Sequence, residues 1–231
     1  ITPDPNYNGP ISVPVVVSDG TGESASFNMN VQVTPVNDAP SIVAQQPLTT
    51  AEETAFTVQV THLTISDPDN SSGFSIFSVQ DGNNYAVSGN TITPDLNYNG
   101  QITVPIVVSD GNAPSTSFNL LLQVEAVNDA PVIIGQQVLS TPEETDFTIE
   151  VTHLTISDPD NSTGFTIFSV TDGTNYSVSG NTITPDQNFN GNISVPVVVT
   201  DGLNPGSSFN LIIRVNPVND APVILGQAVL L

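Results

Sequence analysis

Ile102-Thr103-Val104-Pro105-Ile106-Val107-Val108-Ser109-Asp110-Gly111 places an apolar residue at every second position and then stops on an Asp-Gly turn. Phe118-Asn119-Leu120-Leu121-Leu122-Gln123-Val124 alternates in the same way. A period of two is the mark of a strand with one buried face. Upstream, Phe56-Thr57-Val58-Gln59-Val60 alternates too, and the apolar phase then shifts after His62 to Leu63 and Ile65, which predicts a bulge. Phe74 to Val79 and Tyr85 to Val87 read as two short strands joined by a hairpin turn at Asp81-Gly82. Ile92 ends another strand at Pro94. Pro105 inside its strand predicts an edge position or a local bulge. Tyr98, matched by Tyr7 and Phe189, is placed to plug one end of the fold. No helical period is sustained anywhere, and β-branched residues dominate the apolar runs. About seven short strands in about 90 residues, broken by Gly, Pro, Asn and Asp, predict a Greek-key β-sandwich.

The pattern recurs. Ile1-Thr2-Pro3-Asp4 returns at Ile92 and Ile183, and Asn37-Asp38-Ala39-Pro40 returns at Asn128 and Asn219, a period of 91 residues. Residues 41–131 and 132–222 align without a gap and are about two-thirds identical. A unit of that length can bury its own core, so the chain reads as tandem sandwiches arranged end to end, not as a thin solenoid. The expected divisions are the C-terminal half of one repeat over 1–38, complete repeats over 39–129 and 130–220, and the first strand of a further repeat over 221–231. This register predicts a slice of a longer array. The junction Val127-Asn128-Asp129-Ala130-Pro131 is too short to be a flexible linker, and Pro131 biases Ala130 toward an extended backbone.

Aspartate and glutamate number 23, lysine is absent and Arg214 is the one strong cation, for a formal net charge of −22. Nucleic acid would be repelled, and so would an anionic membrane surface. With no cysteine there is no disulfide or thiolate metal site, and with no lysine there is no Lys–Asn isopeptide crosslink. Enzyme chemistry finds no Gly-rich phosphate loop and no histidine beside a nucleophile. His62 and His153 occupy one repeat position near the phase shift and read as strand-end residues. Asn70, Asn161, Asn175 and Asn192 stand in N-glycosylation patterns, for which chance suffices in a chain this rich in Asn, Ser and Thr. Adaptation to strong salt would spread carboxylates over the surface, whereas here they cluster in loops.

Following strand direction through one repeat sorts those loops into two ends. The loops Ser66-Asp67-Pro68-Asp69-Asn70 and Ser109-Asp110-Gly111 fall at one end. The turn Glu52-Glu53, the turn Pro94-Asp95 and the exit Asn128-Asp129 fall at the other. Stacked repeats then set Glu52, Glu53, Asp95, Asn128 and Asp129 opposite Asp158, Asp160 and Asp201. The period sets Asp4, Asn37 and Asp38 opposite Asp67, Asp69 and Asp110 in the same way. Glu143, Glu144, Asp186, Asn219 and Asp220 repeat the set at the next joint. Each pair of like charges at ~4 Å would cost roughly 4 kcal/mol at an effective dielectric near 20. A hard cation with six to eight oxygen ligands relieves this repulsion, and Ca2+ suits carboxylates and amide carbonyls better than Mg2+, which holds its waters. Asp67-Pro68-Asp69-Asn70 taken alone is equally a turn; it is the convergence of five loops that predicts a metal.

The strings TPEET, ISDPDNS, ITPDQNFNG, VVTDG and VNDAP, in that order, resemble the bacterial cadherin-like tandem repeats of giant surface adhesins and extracellular matrix proteins. The resemblance implies cadherin- or immunoglobulin-like sandwiches with calcium between successive domains. By it, Glu52 or Glu53 matches the early Glu of the calcium-binding set, Asp158 and Asp160 the Asp-x-Asp, Asp201 the late Asp and Asn128-Asp129 the linker. The expected function is a structural segment of a long extracellular protein (adhesin stalk, matrix fibre or surface filament) stiffened by calcium, with neighbouring repeats as its partners. The alternative is an adhesive module that recognises a surface glycan, or copies of itself laterally through sandwich faces or edge strands. Tyr85 and Tyr176 are the candidate aromatic platforms for a glycan, with core packing as their other reading.

Overall fold

The alternating runs form the two longest strands of each complete repeat, and their apolar positions turn inward. The computed structural model describes residues 1–224 and 226, so the first strand expected over 221–231 lies for the most part outside the described residues. The chain divides into two units, Ile1–Val127 and Asn128–Leu231. The first opens with an antiparallel pair, β1 (Gly9–Val15) and β2 (Phe27–Val33), in register from Gly9↔Val33 to Val15↔Phe27.

A complete set of strands follows: β3 (Ser41–Gln45), β4 (Thr49–Ala51), β5 (Phe56–Thr57), β6 (Leu63–Ser66), β7 (Ser75–Val79), β8 (Tyr85–Ser88), β9 (Thr91–Pro94), β10 (Gly100–Ser109) and β11 (Phe118–Glu125). One layer is the sheet β4-β11-β10-β7, in which β4 runs parallel to β11 and the rest are antiparallel. The pair β3-β6 and the three-stranded sheet β5-β9-β8 form the opposing layer. Between them Ile102, Val104, Ile106, Leu120, Leu122 and Val124 meet Val58, Ile92 and Tyr85. Full burial of a side chain of this size stabilises by roughly 1.5–3 kcal/mol, so this seam holds the two layers together.

The second unit repeats the plan with β12 (Val132–Gln136), β13 (Leu139–Pro142), β14 (Phe147–Thr148), β15 (Leu154–Ser157), β16 (Thr166–Val170), β17 (Tyr176–Ser179), β18 (Thr182–Pro185), β19 (Gly191–Thr200) and β20 (Phe209–Asn216). Its sheets are β13-β20-β19-β16, β12-β15 and β14-β18-β17. The described residues are all-β apart from two 3₁₀ turns, and each complete repeat is a two-layered sandwich.

Three local expectations need correction. The phase shift after His62 is one turn of 3₁₀ helix, Val60–His62, and not a bulge. The His62 ring makes the turn: Nδ1 accepts the Gln59 N–H at 3.1 Å, and the imidazole packs on Phe56 with centroids 5.3 Å apart. Asp81-Gly82 is not a hairpin turn, because β7 pairs with β10 while β8 pairs with β9, so the segment carries the chain between layers. Tyr85 fixes that corner: its hydroxyl lies 3.2 Å from the carbonyls of both Gln80 and Thr103 and shares its one proton between them. Its ring fills the space beside Gly82, where an added Cβ would lie 2.5 Å from the hydroxyl. Finally, Pro105 lies in a central strand and not at an edge. Its carbonyl accepts from Gln80 N at 2.9 Å, and its missing N–H falls just past the last β7 pair, Ile106↔Val79, where the regular ladder has ended. The bulge half of that expectation holds nearby, as the register shift between Val107 and Val108.

The start of each complete repeat switches layers, between β3 and β4 and again between β12 and β13, and a side chain covers the switch. The Gln45 amide accepts from Leu121 N–H and donates to the Leu121 carbonyl, both at 2.7 Å, as another strand would. Gln136 does the same at Ile212, at 2.8 Å each way. Two such bonds at a net ~0.5–1.5 kcal/mol each make Gln45→Ala a loss of about 1–3 kcal/mol. A urea midpoint unchanged by the substitution would show the amide to be idle.

Candidate functional site

Each repeat gathers polar side chains at both ends, and the linker amides determine how. At the downstream end of the first junction, the Asn37 side-chain amide donates to Asp110 Oδ2 at 2.9 Å, and the Asp38 N–H donates to Asp69 Oδ2 at 2.6 Å. Asn112 donates to Asn37 Oδ1 at 3.2 Å. Asp67 Oδ1 accepts from the N–H groups of Asp69 and Asn70, the local turn that Asx residues favour. The second unit builds the same arrangement. Asn128 Nδ2 donates to Asp201 Oδ2 and Asp129 N–H to Asp160 Oδ2, both at 2.7 Å, while Asp158 Oδ1 accepts from Asp160 and Asn161.

The other end carries the glutamates. Glu52, only 2 % exposed, accepts the Val127 N–H through Oε1, and Glu143 accepts the Val218 N–H in the same manner. Glu53 Oε1 accepts from Asn97 N–H at 2.8 Å. Glu53 and Glu144 both adopt positive φ, 56° and 60°. A non-glycine residue in that region is strained by about 1 kcal/mol or more, and a glutamate kept there in both repeats marks a position where the carboxylate matters more than the turn. Asp95 and Asp186 sit in the turn before the long strand, their carbonyls accepting from Tyr98 and Phe189 N–H at 3.1 Å, with their side chains exposed. Asp4 holds Tyr7 N–H likewise at 3.2 Å. Asn219 and Asp220 are exposed, and Asn219 Nδ2 reaches the Asp220 carbonyl at 3.2 Å.

Electrostatics at the late aspartates follow from these amides. Backbone N–H groups of Ala113 and Asn112 and the Asn37 side chain hold the Asp110 carboxyl below its ordinary value of 3.8. The Asn204 N–H, the Asn128 side chain and the Leu203 N–H do the same for Asp201. Asp19, at the matching position, is lowered to about 2 by the N–H groups of Thr21 and Gly22 and the Thr21 hydroxyl. These groups keep their negative charge to lower pH than an ordinary aspartate.

Among the described residues no three carboxylates or histidines stand together in a metal-holding arrangement. Linker N–H groups already hold one oxygen each of Asp69, Asp110, Asp160 and Asp201. What remains is informative. Glu52 Oε2, Asp67 Oδ2 and Asp158 Oδ2 are buried and accept from no donor. An ionised oxygen hidden from both water and donors costs several kcal/mol by rough estimate unless a cation meets it, so the donor set fits a hard divalent ion. In the first unit a cavity of about 260 Å³ is lined by Asn6, Tyr7, Val36, Asp38 and Asp69 among others. Asn6 and Val36 are the counterparts of Asn97 and Val127, the residues that hold Glu53 and Glu52.

Two residues escaped the sequence reading. Phe77 and Phe168 are 64 % and 60 % exposed, because a register shift on each third long-sheet strand turns them outward. Their alternation with Ile76 and Ile167 carries no sign of the shift. Tyr85 and Tyr176, the candidate platforms whose other reading was core packing, are buried at 4 % and 3 % and belong to the core.

Residues 36–125 match the family model of the cadherin-like domain, and residues 128–213 match that of the bacterial Ig domain. The chain carries a cadherin-like domain followed by one that matches a bacterial Ig domain. Its two complete cadherin-like repeats are near copies, so the two descriptions fall on one architecture. Both kinds of domain are adhesion-type modules, typically extracellular and without enzymatic activity. Among solved structures, the Protocadherin GammaB4 extracellular domain is similar at 18% identity over 93% of this chain and 39% of its own, with a TM-score of 0.50. Human Mucin-like Protocadherin EC1-2 is similar at 18% identity over 78% of this chain and 98% of its own, with a TM-score of 0.41. The chain thus spans 39% of the first of these proteins, and the likeness is one of fold. Among curated protein sequences none matches it. Among the described residues no helix is long and apolar enough to cross a membrane.

Proposed function

We propose that these cadherin-like repeats, bounded at 39–129 and 130–220, are a stretch of a long extracellular array whose joints calcium stiffens, serving as an adhesin stalk, matrix fibre or surface filament. The observation that carries the reading is the set of donorless, buried carboxylate oxygens on Glu52, Asp67 and Asp158. They lie on loops at the ends of the repeats, where strand counting brings neighbours together. The first unit's cavity supports it, since residues that seat the glutamate pair in one repeat there share a wall with the Asp38 linker and the Asp69 loop. Glu52, Glu53 and Asp95 from one repeat, with Asn128, Asp129, Asp158, Asp160 and Asp201, would hold the ion at a joint. Bound Ca2+ would neutralise the facing carboxylates and remove the repulsion that otherwise drives neighbours apart. Extracellular modules of this type bind at roughly 10⁻⁴–10⁻³ M, so millimolar calcium fills them.

Small-angle scattering with calcium and then with chelator tests the reading. The expected result is a narrow distribution of extended particles that shortens and broadens when the ion is removed. Identical profiles would overturn it. A second reading, lateral association of chains, is favoured by Phe77 and Phe168, exposed on edge strands β7 and β16 that no lysine protects. In the same series, an apparent mass that rises with protein concentration would favour it, and a constant mass would not.

A further inference from the structure

We infer that each joint pivots about a single peptide link, Val127–Asn128 and its counterparts, and that hydrogen bonds set this pivot whether or not a metal is bound. The inference rests on the array reading but not on calcium. The backbone N–H of Val127 is held by Glu52 of its own repeat, and that of Val218 by Glu143. The next residue belongs to the other side. Asn128 is tied by its side chain to Asp201, and Asp129 N–H is tied to Asp160. Asn37 and Asp38 are tied to Asp110 and Asp69 in the same pattern. Asn204 adds a bond from its amide to the Asn128 carbonyl at 3.1 Å. Each half of the clamp is therefore seen twice, and the chain's division into units falls between the same two residues.

Peptide planarity leaves about three soft torsions between the clamps: φ and ψ of Val127 and φ of Asn128. Val127 is β-branched, which narrows its range further. A five-residue junction that looks like a linker in sequence thus acts as one swivel, and the motion released by chelation is a bend at a fixed point.

Backbone hydrogen exchange of the full chain in chelator tests this residue by residue. Val127 and Asp129 amides are expected to exchange at least roughly tenfold more slowly than that of Asn128. Glu52→Ala should release Val127 while leaving Asp129 protected, and Asp160→Ala should do the reverse, with the Leu122 amide reporting that the sandwich is still folded. Equal exchange across residues 127–129, fast or slow, would overturn the proposal. Because calcium is absent throughout, failure here leaves the metal reading untouched, and failure of the scattering test leaves this one untouched.

Discussion

Asp158→Asn is expected to raise the melting temperature in chelator and lower it in calcium. Asp158 Oδ1 is satisfied by two backbone N–H groups at 2.9 and 2.8 Å, while Oδ2 is buried with no protein donor. Asparagine keeps the accepting oxygen and replaces the uncompensated charge by a neutral amide. Exchanging an unpartnered buried charge for an unpartnered but neutral amide nitrogen favours the variant by about 1 kcal/mol or more. With calcium the sign reverses. An ion at a hundredfold its dissociation constant stabilises the wild type by ~2.7 kcal/mol, most of which the variant loses with a charged ligand. Asp67→Asn should behave alike, having the same two N–H bonds and the same orphan oxygen. Calorimetric melts of both proteins in the two buffers decide the matter. If each variant shifts by the same amount and sign in both, the orphan oxygens do not face a cation.

The second large effect has nothing to do with charge. Gly206 lies where the segment after β19 passes the start of its own repeat, and an added Cβ would stand 1.9 Å from the Pro131 carbonyl oxygen. That neighbour is backbone and cannot swing aside. The Gly206 N–H is also committed to Val199 O at 2.8 Å, which prevents the loop from backing off. Gly206→Ala should therefore cost about 2–3 kcal/mol, at the upper part of the range for forced overpacking. The preceding repeat carries Ser115 at this position, whose hydroxyl accepts from Val108 N and donates to the Thr116 carbonyl. Restoring that serine in the form Gly206→Ser would meet the same carbonyl, so it too should destabilise. Denaturant midpoints for the two variants give the answer, and a loss below about 0.5 kcal/mol would mean that Pro131 yields.

Much of this architecture is legible before any coordinates. Strands β10, β11, β19 and β20 follow directly from alternation, because a half-buried strand cannot hide its period. The acidic ends follow as well, since strand direction alone sorts Asp67 and Asp110 to one end and Glu52 to the other. Asp81-Gly82 misleads because turn residues specify a reversal but not whether the chain stays in its sheet; long-range packing of Tyr85 decides that. Phe77 is hidden by a register shift, which no pattern of residue types encodes. The linker contacts are hidden for a different reason. Half of them are made by backbone N–H groups, which every residue but proline has, so Asp38 and Asp129 reveal their carboxylates in sequence and conceal their donors.

The clamp split between Val127 and Asn128 also bears on how such a chain changes length. Val36-Asn37, Val127-Asn128 and Val218-Asn219 are the same boundary, and everything each side needs lies within one period of it. Deleting or duplicating any whole number of periods rejoins a valine and an asparagine that find familiar partners. Reach can then be altered by unequal recombination without any new interface having to evolve.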